Sequence, residues 1–161
     1  MILTSSTVVL EPITPALARR IAAREERPGD RWHAEYPFLD EIDPLKSLAA
    51  LAAPDPDFTM YVVRRASDGM AVGGFGFFGP PDADGRVEFG YGLVPSARGA
   101  GLATSAVLLA LGHAGLRGAT IAAADTEADN AASRRVLFKS GLQEVGRSGS
   151  LVLYERVLTA R

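Results

Sequence analysis

The sequence contains no cysteine and only two histidines, His33 and His113, which lie 80 residues apart. Without cysteine the chain has no disulfide framework, no thiolate metal ligand and no cysteine nucleophile. The two histidines are too far apart in sequence to show the spacing of a ligand pair. We therefore expect no structural zinc and no other bound metal.

A surplus of charge of either sign is also lacking, because 17 basic residues stand against 19 acidic ones, for a formal charge of -2. General nucleic-acid binding needs a basic face and is therefore disfavoured. No apolar run approaches the roughly 18 residues of a membrane span. The first residues lack the basic start and long apolar stretch of a signal peptide. The 161 residues predict one cytoplasmic domain over residues 1–161.

The most informative part of the chain is the stretch from Arg86 to Ala114. Residues 87–94 are rich in β-branched and aromatic types, which predicts a strand that ends before Pro95. Residues 98–103 then turn the chain into a helix that continues through Leu111. Glycines in this turn allow close approach to the backbone, where the first amides of a helix have no internal partner. Such a corner is typical of an anion site, and its usual occupant is a phosphate.

Four interpretations of this turn compete. A P-loop requires a Gly-Lys-Ser/Thr ending, and no lysine is near. A dinucleotide fingerprint requires glycine or alanine where the chain has Thr104, although Asp125 lies at about the distance of the ribose-binding acid. The glycines could also serve the turn alone. The fourth interpretation is Arg-x-x-Gly-x-Ala from Arg98 to Ala103, which resembles the acetyl-coenzyme A loop of the GNAT superfamily of N-acetyltransferases.

A second segment, from Asp129 to Leu142, resembles the next signature of the same superfamily. In that signature Asn-x-x-Ser or Asn-x-x-Ala opens a helix that ends at a Gly-Phe pair before a strand. This chain has Asn130, Ser133 and Gly141 at the matching positions, with leucine in place of phenylalanine. The interval between the two motifs accommodates one helix and one strand. The resemblance is closest to the RimJ/RimL-like branch and covers roughly residues 58–158.

The resemblance implies an α/β (mixed α+β) fold whose central mixed sheet has about seven strands, largely antiparallel, with helices on both faces. It implies acetyl-CoA as co-substrate and direct attack by a primary amine in a ternary complex. The amine would belong to a protein N-terminus or to a small molecule. Dimers are common on this fold, and no sequence feature decides for or against a homodimer. The residues that match the family's cofactor contacts are Leu93, Val94, Arg98, Gly99, Ala100, Gly101, Ala103, Thr104, Asn130 and Ser133.

Glu88 and Ser133 are the predicted catalytic residues. Glu88 shares a strand face with Gly90 and Gly92, and similar enzymes carry a proposed general base near this position. The alternative is that Glu88 pairs with an arginine or faces solvent. Many GNAT enzymes protonate the leaving sulfur with a tyrosine seven residues after the asparagine, where this chain has Leu137. In the resembled branch Ser133 would donate a hydrogen bond to the sulfur. It could instead satisfy backbone groups at the helix start.

Residues 25–43 have no regular period, and a loop of this length in a compact domain is often functional. Trp32 and Tyr36 in this loop could line an acceptor pocket, or they could pin the loop to the core. The missing tyrosine also keeps open a second function, a non-catalytic acyl-CoA sensor or interaction module on the same fold.

Residue patterns predict the remaining elements. Thr14 is expected to cap a helix, and Asp43 a second helix over residues 44–53. Strands are predicted over residues 7–11, 58–65, 71–79 and 120–125, and a closing hairpin over residues 142–158.

Overall fold

The computed structural model describes residues 1–159, in which eight strands form one sheet. The strands are β1 (Leu3–Thr4), β2 (Val8–Pro12), β3 (Met60–Arg65), β4 (Ala71–Phe77), β5 (Arg86–Leu93), β6 (Ile121–Glu127), β7 (Gln143–Ser148) and β8 (Leu151–Val157). The helices are α1 (Pro15–Ala22), α2 (Ile42–Ala49), α3 (Leu102–Leu116) and α4 (Ala131–Lys139). No helix within residues 1–159 is long and apolar enough to cross a membrane.

The order of the strands in the sheet is β1-β2-β3-β4-β5-β6-β8-β7. All neighbouring pairs are antiparallel except β5 and β6, which are parallel because α3 connects them as a crossover. The predicted fold class is therefore confirmed. The strand beyond the predicted seven is β1, which has two residues.

The helix boundaries follow from local capping, with one difference from prediction. Thr14 caps α1 as predicted, since its Oγ1 accepts a hydrogen bond from the Leu17 amide at 3.1 Å. The second helix was predicted over residues 44–53 with Asp43 as its cap, but it begins at Ile42 and ends at Ala49. A 3₁₀ turn over Leu39–Glu41 leads directly into α2, so Asp43 already lies in the first turn.

Helices lie on both faces of the sheet, as predicted. On one face the Glu41 carboxylate, at the start of α2, lies over Gly74 of β4, which pairs with Gly92 of β5. Side chains alternate along a strand, so Tyr91 of β5 points to the opposite face, where it contacts Ser133 of α4. Helices α2 and α4 therefore cover opposite faces of the sheet near β5.

Candidate active site

Strands β5 and β6 separate in the middle of the sheet. Their parallel pairing covers only Arg86–Glu88 against Ile121–Ala123, after which the strands diverge. The Glu88 carbonyl accepts a bond from Phe78 at 2.9 Å, and the Val94 amide donates to Val72 at 2.8 Å. Even-numbered residues of β5 thus bond toward β4, so the backbone groups of Tyr91 and Leu93 point into the gap.

This alternation separates the two strand residues that the sequence assigned to the cofactor. Leu93 directs its amide into the gap, and its carbonyl accepts a bond from Arg98 Nε at 3.0 Å. Val94 has both backbone groups occupied, because its carbonyl also accepts a bond from the Ala97 amide at 3.0 Å. The backbone available to a peptide-like ligand is therefore that of Leu93 and Tyr91.

The glycine turn opens α3 without any side-chain cap. Gly99 and Gly101 have φ values of +86° and +78°, in the left-handed region that favours glycine. A Cβ on either glycine would meet no atom within 4 Å, so the space above the turn is open. The first bond of the helix runs from the Ser105 amide to the Gly101 carbonyl at 3.1 Å. The amides of Leu102–Thr104 thus face an open site at the positive end of a helix of 15 residues.

The second motif places a hydroxyl pair beside the gap. The Asn130 side chain caps α4, accepting a bond from the Ser133 amide at 3.1 Å. Ser133 Oγ lies 2.9 Å from the Tyr91 hydroxyl, which also lies 3.3 Å from the Ser133 carbonyl. Burial raises the pKa of Tyr91 above its ordinary value, so the phenol stays protonated at neutral pH. Leu137, at the position of the family's usual tyrosine, is fully buried in the core.

These elements enclose a cleft of about 430 Å³ that runs along the gap between β5 and α4. Most of the predicted cofactor residues line it, with Val94 and Ala100 outside its wall. The lining residues from that prediction are Leu93, Arg98, Gly99, Gly101, Ala103, Thr104, Asn130 and Ser133.

A second cavity of about 590 Å³ lies on the α2 side of the sheet. Five phenylalanines and several aliphatic residues line it, which makes it a predominantly apolar pocket of the size that small ligands occupy. The cleft and this cavity are adjacent, because four residues line both of them: Phe38, Asp40, Tyr91 and Gly92.

The floor of the second cavity is made of glycines from β4 and β5. Gly74 faces Gly92 and Gly76 faces Gly90 across the strand pair, so the four remove side chains from one patch of the sheet. A Cβ on Gly92 would come within 2.2 Å of the Phe38 ring. This glycine floor therefore lets residues of the segment before α2 approach the backbone of the sheet.

Glu41 is the unusual charged group of this cavity. Its side chain is 8% exposed, and its Oε1 has no hydrogen-bond partner among the described residues. Burial, and to a smaller extent the charge of Asp40, raises the pKa of Glu41 to about 8. A carboxyl group in this state can exchange a proton near neutral pH.

The other predicted site residues lie outside the two cavities. Glu88 is exposed, with Oε1 3.9 Å from Arg86 Nε, which matches the alternative interpretation of its role. Trp32 and Tyr36 are buried and pack edge to face with ring centroids 5.9 Å apart. Neither ring is among the residues that line the cleft or the cavity, and the nearby Phe38 of the same loop lines both.

Sequence reasoning missed Tyr91 and Glu41. Tyr91 carried a signal, since it is the only tyrosine on the predicted strand next to the loop motif. Its contact with Ser133 spans 42 residues of sequence and depends on how α4 packs. Glu41 carried none, because an acidic residue before a helix usually remains in solvent. The described residues contain no group of three His, Asp or Glu side chains placed to hold a metal ion.

Comparisons with known proteins agree with this geometry. No match was found among curated protein sequences. Among solved structures, RimL, the ribosomal L7/L12 α-N-protein acetyltransferase in complex with coenzyme A, shares the fold with a TM-score of 0.71 and 16% identity, covering 100% of both chains. The ribosomal-protein-S5-alanine acetyltransferase from Vibrio fischeri has a TM-score of 0.71 and 17% identity over 98% of this chain and 97% of its own.

A third structure, a probable GNAT-family acetyltransferase from Chromobacterium violaceum, has a TM-score of 0.67 and 24% identity over 97% of this chain and 85% of its own. The sequence model of the acetyltransferase (GNAT) domain matches residues 7–143, which include both motifs and all four helices. The chain therefore belongs to the GNAT acetyltransferase domain family.

Proposed function

We propose that the protein moves the acetyl group of acetyl-CoA to the nitrogen of a primary amine, in a complex that holds both substrates at once. The observation that carries this proposal is the junction of the cleft and the cavity at Tyr91 and Gly92. A thioester in the cleft and an amine in the cavity would meet there, with water displaced by the apolar lining.

In this proposal the cleft holds the co-substrate by its diphosphate and its pantetheine arm. The amides of residues 102–104 and the dipole of α3 favour the diphosphate, each charge contributing about 0.3–1 kcal/mol, and more where partly buried. The backbone of Tyr91 and Leu93 offers hydrogen bonds to the peptide-like arm, in place of the missing β6 pairing. The thioester would then lie beside the Tyr91–Ser133 pair.

Attack on the thioester requires a neutral amine. A lysine-like amine of pKa about 10.4 lies roughly 3 units above neutral pH and needs about 4 kcal/mol to lose its proton, whereas an α-amino group of pKa about 7.7–8.0 needs much less. The sequence nominates Glu88 as the base, and the structure adds Glu41 as a buried carboxylate inside the cavity. Base catalysis by such a group contributes roughly 10²–10⁴-fold.

In this proposal the Tyr91–Ser133 pair donates a hydrogen bond to the leaving sulfur. A thiol of pKa about 8.5 needs only a modest donor. The Tyr91 phenol is a better acid than a serine hydroxyl, and its 2.9 Å contact with Ser133 Oγ fixes its position. The pair thus takes the place of the tyrosine that Leu137 replaces.

The experiment that tests this function follows release of free coenzyme A thiol from acetyl-CoA with a panel of primary amines. Release that depends on the amine supports the proposal. Tight acetyl-CoA binding without release from any amine in the panel would favour the non-catalytic acyl-CoA sensor instead.

Replacing Tyr91 by phenylalanine is expected to lower kcat by about 100-fold, because the sulfur loses its hydrogen-bond donor. The dissociation constant for acetyl-CoA should change less than about twofold, since the phosphate loop is untouched. Tyr154→Phe is the matched control, because this buried phenol lies on β8 and accepts its bond from Arg134 at 3.1 Å, outside the cleft. Steady-state kinetics and calorimetry separate the two effects, and an unchanged kcat in Tyr91→Phe would remove Tyr91 from the mechanism.

A further inference from the structure

The cavity on the α2 side carries acidic groups and no basic ones. Among its lining residues the titratable side chains are Asp40, Glu41, Asp55 and Tyr91, and no lysine, arginine or histidine contributes to its wall. Such a site attracts a cation and repels a carboxylate, because neither the acids nor the apolar rings can neutralise a second negative charge. The charge of the wall therefore selects among amines.

One polar atom of this wall is buried without a partner among the described residues. It is Oε1 of Glu41, a residue that is more than nine-tenths buried. An unpaired buried acceptor costs about 1–3 kcal/mol, and more for a charged group, so its retention calls for an explanation. A primary ammonium has three N–H donors, and a carboxylate oxygen accepts such a bond.

The rest of the wall fits an apolar body. The rings of Phe38 and Phe78 lie over Gly92 and Gly90, and the glycine floor presents flat backbone beneath them. The volume of about 590 Å³ exceeds that of a single ammonium group and accommodates a ring with its linker.

We propose that this cavity binds the acceptor as a small primary ammonium with an apolar, ring-sized body and no carboxylate, and that Glu41 receives both the ammonium and its proton. The proposal rests on the acetyl-transfer function, because it names the substrate class of the same site. Glu41 lies over Gly74, whose cross-strand partner Gly92 lines the junction with the cleft. The ammonium is thereby held next to the site of the thioester.

The proton balance of the step is complete without another reactant. The Glu41 carboxylate takes one proton from the ammonium, and the neutral nitrogen attacks the thioester carbonyl carbon. The C–N bond forms, the C–S bond breaks, and the sulfur leaves with the bonding electron pair. The second nitrogen proton passes through the Tyr91–Ser133 hydroxyls to the thiolate, giving the amide and coenzyme A thiol. The proton on Glu41 then returns to solvent.

The experiment compares 2-phenylethylamine with phenylalanine, which differ by a single carboxylate. Thiol release gives kcat/KM for each, and calorimetry measures binding of 2-phenylethylamine to the protein loaded with coenzyme A. A peptide with N-terminal phenylalanine tests a polypeptide source of the same group. The variants are Glu41→Gln, which keeps the shape of the side chain, and Glu144→Gln on β7, outside both cavities, as the matched control.

We expect kcat/KM for 2-phenylethylamine to exceed that for phenylalanine and for the peptide by at least about 100-fold. Glu41→Gln should lower it by about 100-fold and weaken amine binding at least about tenfold, with Glu144→Gln within about threefold of the native value. Equal use of phenylalanine, preference for the peptide, or a larger loss in Glu88→Gln than in Glu41→Gln would overturn the inference while acetyl transfer stands. Glu41-dependent amine binding without any transfer would support the binding site and refute the proposed function.

Discussion

Replacing Gly101 by valine is expected to weaken acetyl-CoA binding by at least about 100-fold, or about 3 kcal/mol, while the chain remains folded. The space above Gly101 is open to 4 Å, and in the proposed complex the diphosphate fills it. A branched side chain there would occupy the position of the anion and cover the first amides of α3. Calorimetry with acetyl-CoA measures the loss.

Gly118→Val is the matched control for this change. Gly118 has φ +100° and also meets no atom within 4 Å of a Cβ, but it follows the opposite end of α3. Both valines carry the left-handed strain of about 1–3 kcal/mol, so thermal unfolding should shift by similar amounts. Only Gly101→Val should lose the ligand. If Gly101→Val binds acetyl-CoA within about threefold of the native protein, the phosphate loop has been assigned to the wrong turn.

Replacing Glu41 by glutamine is expected to stabilise the ligand-free protein at pH 9 and to have little effect at pH 5. The pKa of Glu41 is raised from 4.5 to about 8 in the folded chain, first by burial and then by Asp40. An acid whose pKa rises on folding costs stability progressively between its unfolded and its folded pKa, here between about 4.5 and 8. Above that range the cost has an upper limit of about 5 kcal/mol, at ~1.36 kcal/mol per pKa unit.

Urea unfolding of the native protein and of Glu41→Gln at both pH values isolates this effect, because the other titrating groups cancel in the difference. The charged or titratable neighbours of Glu41 are Asp40 and the buried Tyr36, whose pKa is raised first by burial and then by the Glu41 charge. Arg64 and Glu11 act on Tyr36 from the adjacent strands, and both remain in the variant. An identical pH dependence in the two proteins would show that Glu41 is an ordinary solvated carboxylate.

The parts of the site that depend on neighbouring residues in sequence could be predicted. The glycine turn at residues 99–101 and the Asn130 cap each arise within one turn of backbone, so their residue types indicate their structure directly. The end of β5 before Pro95 belongs to the same group, because proline cannot donate to a ladder.

The parts that depend on how distant elements pack could not be predicted. Glu41 is buried only because Gly74 and Gly92, on β4 and β5, let the segment before α2 settle onto the sheet. Tyr91 meets Ser133 only because α4 lies beside the diverging strands. The loop over residues 25–43 was correctly predicted to be irregular, but its aromatic side chains do not all face the same region. Trp32 and Tyr36 face the core while Phe38 reaches both cavities, and the periodicity of a loop does not reveal that division.

The glycine floor leaves the shape of the α2-side cavity to residues outside the sheet, and in the proposed function this shape determines which acceptors fit. Because no side chain rises from that patch of sheet, the shape of the cavity above it depends on Phe38 and Phe78, whose rings lie over Gly92 and Gly90. Exchanging these rings would resize the cavity without disturbing the strands that, in the proposed function, position the thioester. If the proposed function holds, a few substitutions in the covering rings, far in sequence from the coenzyme motifs, would change which amines the cavity accepts while the sheet stays fixed.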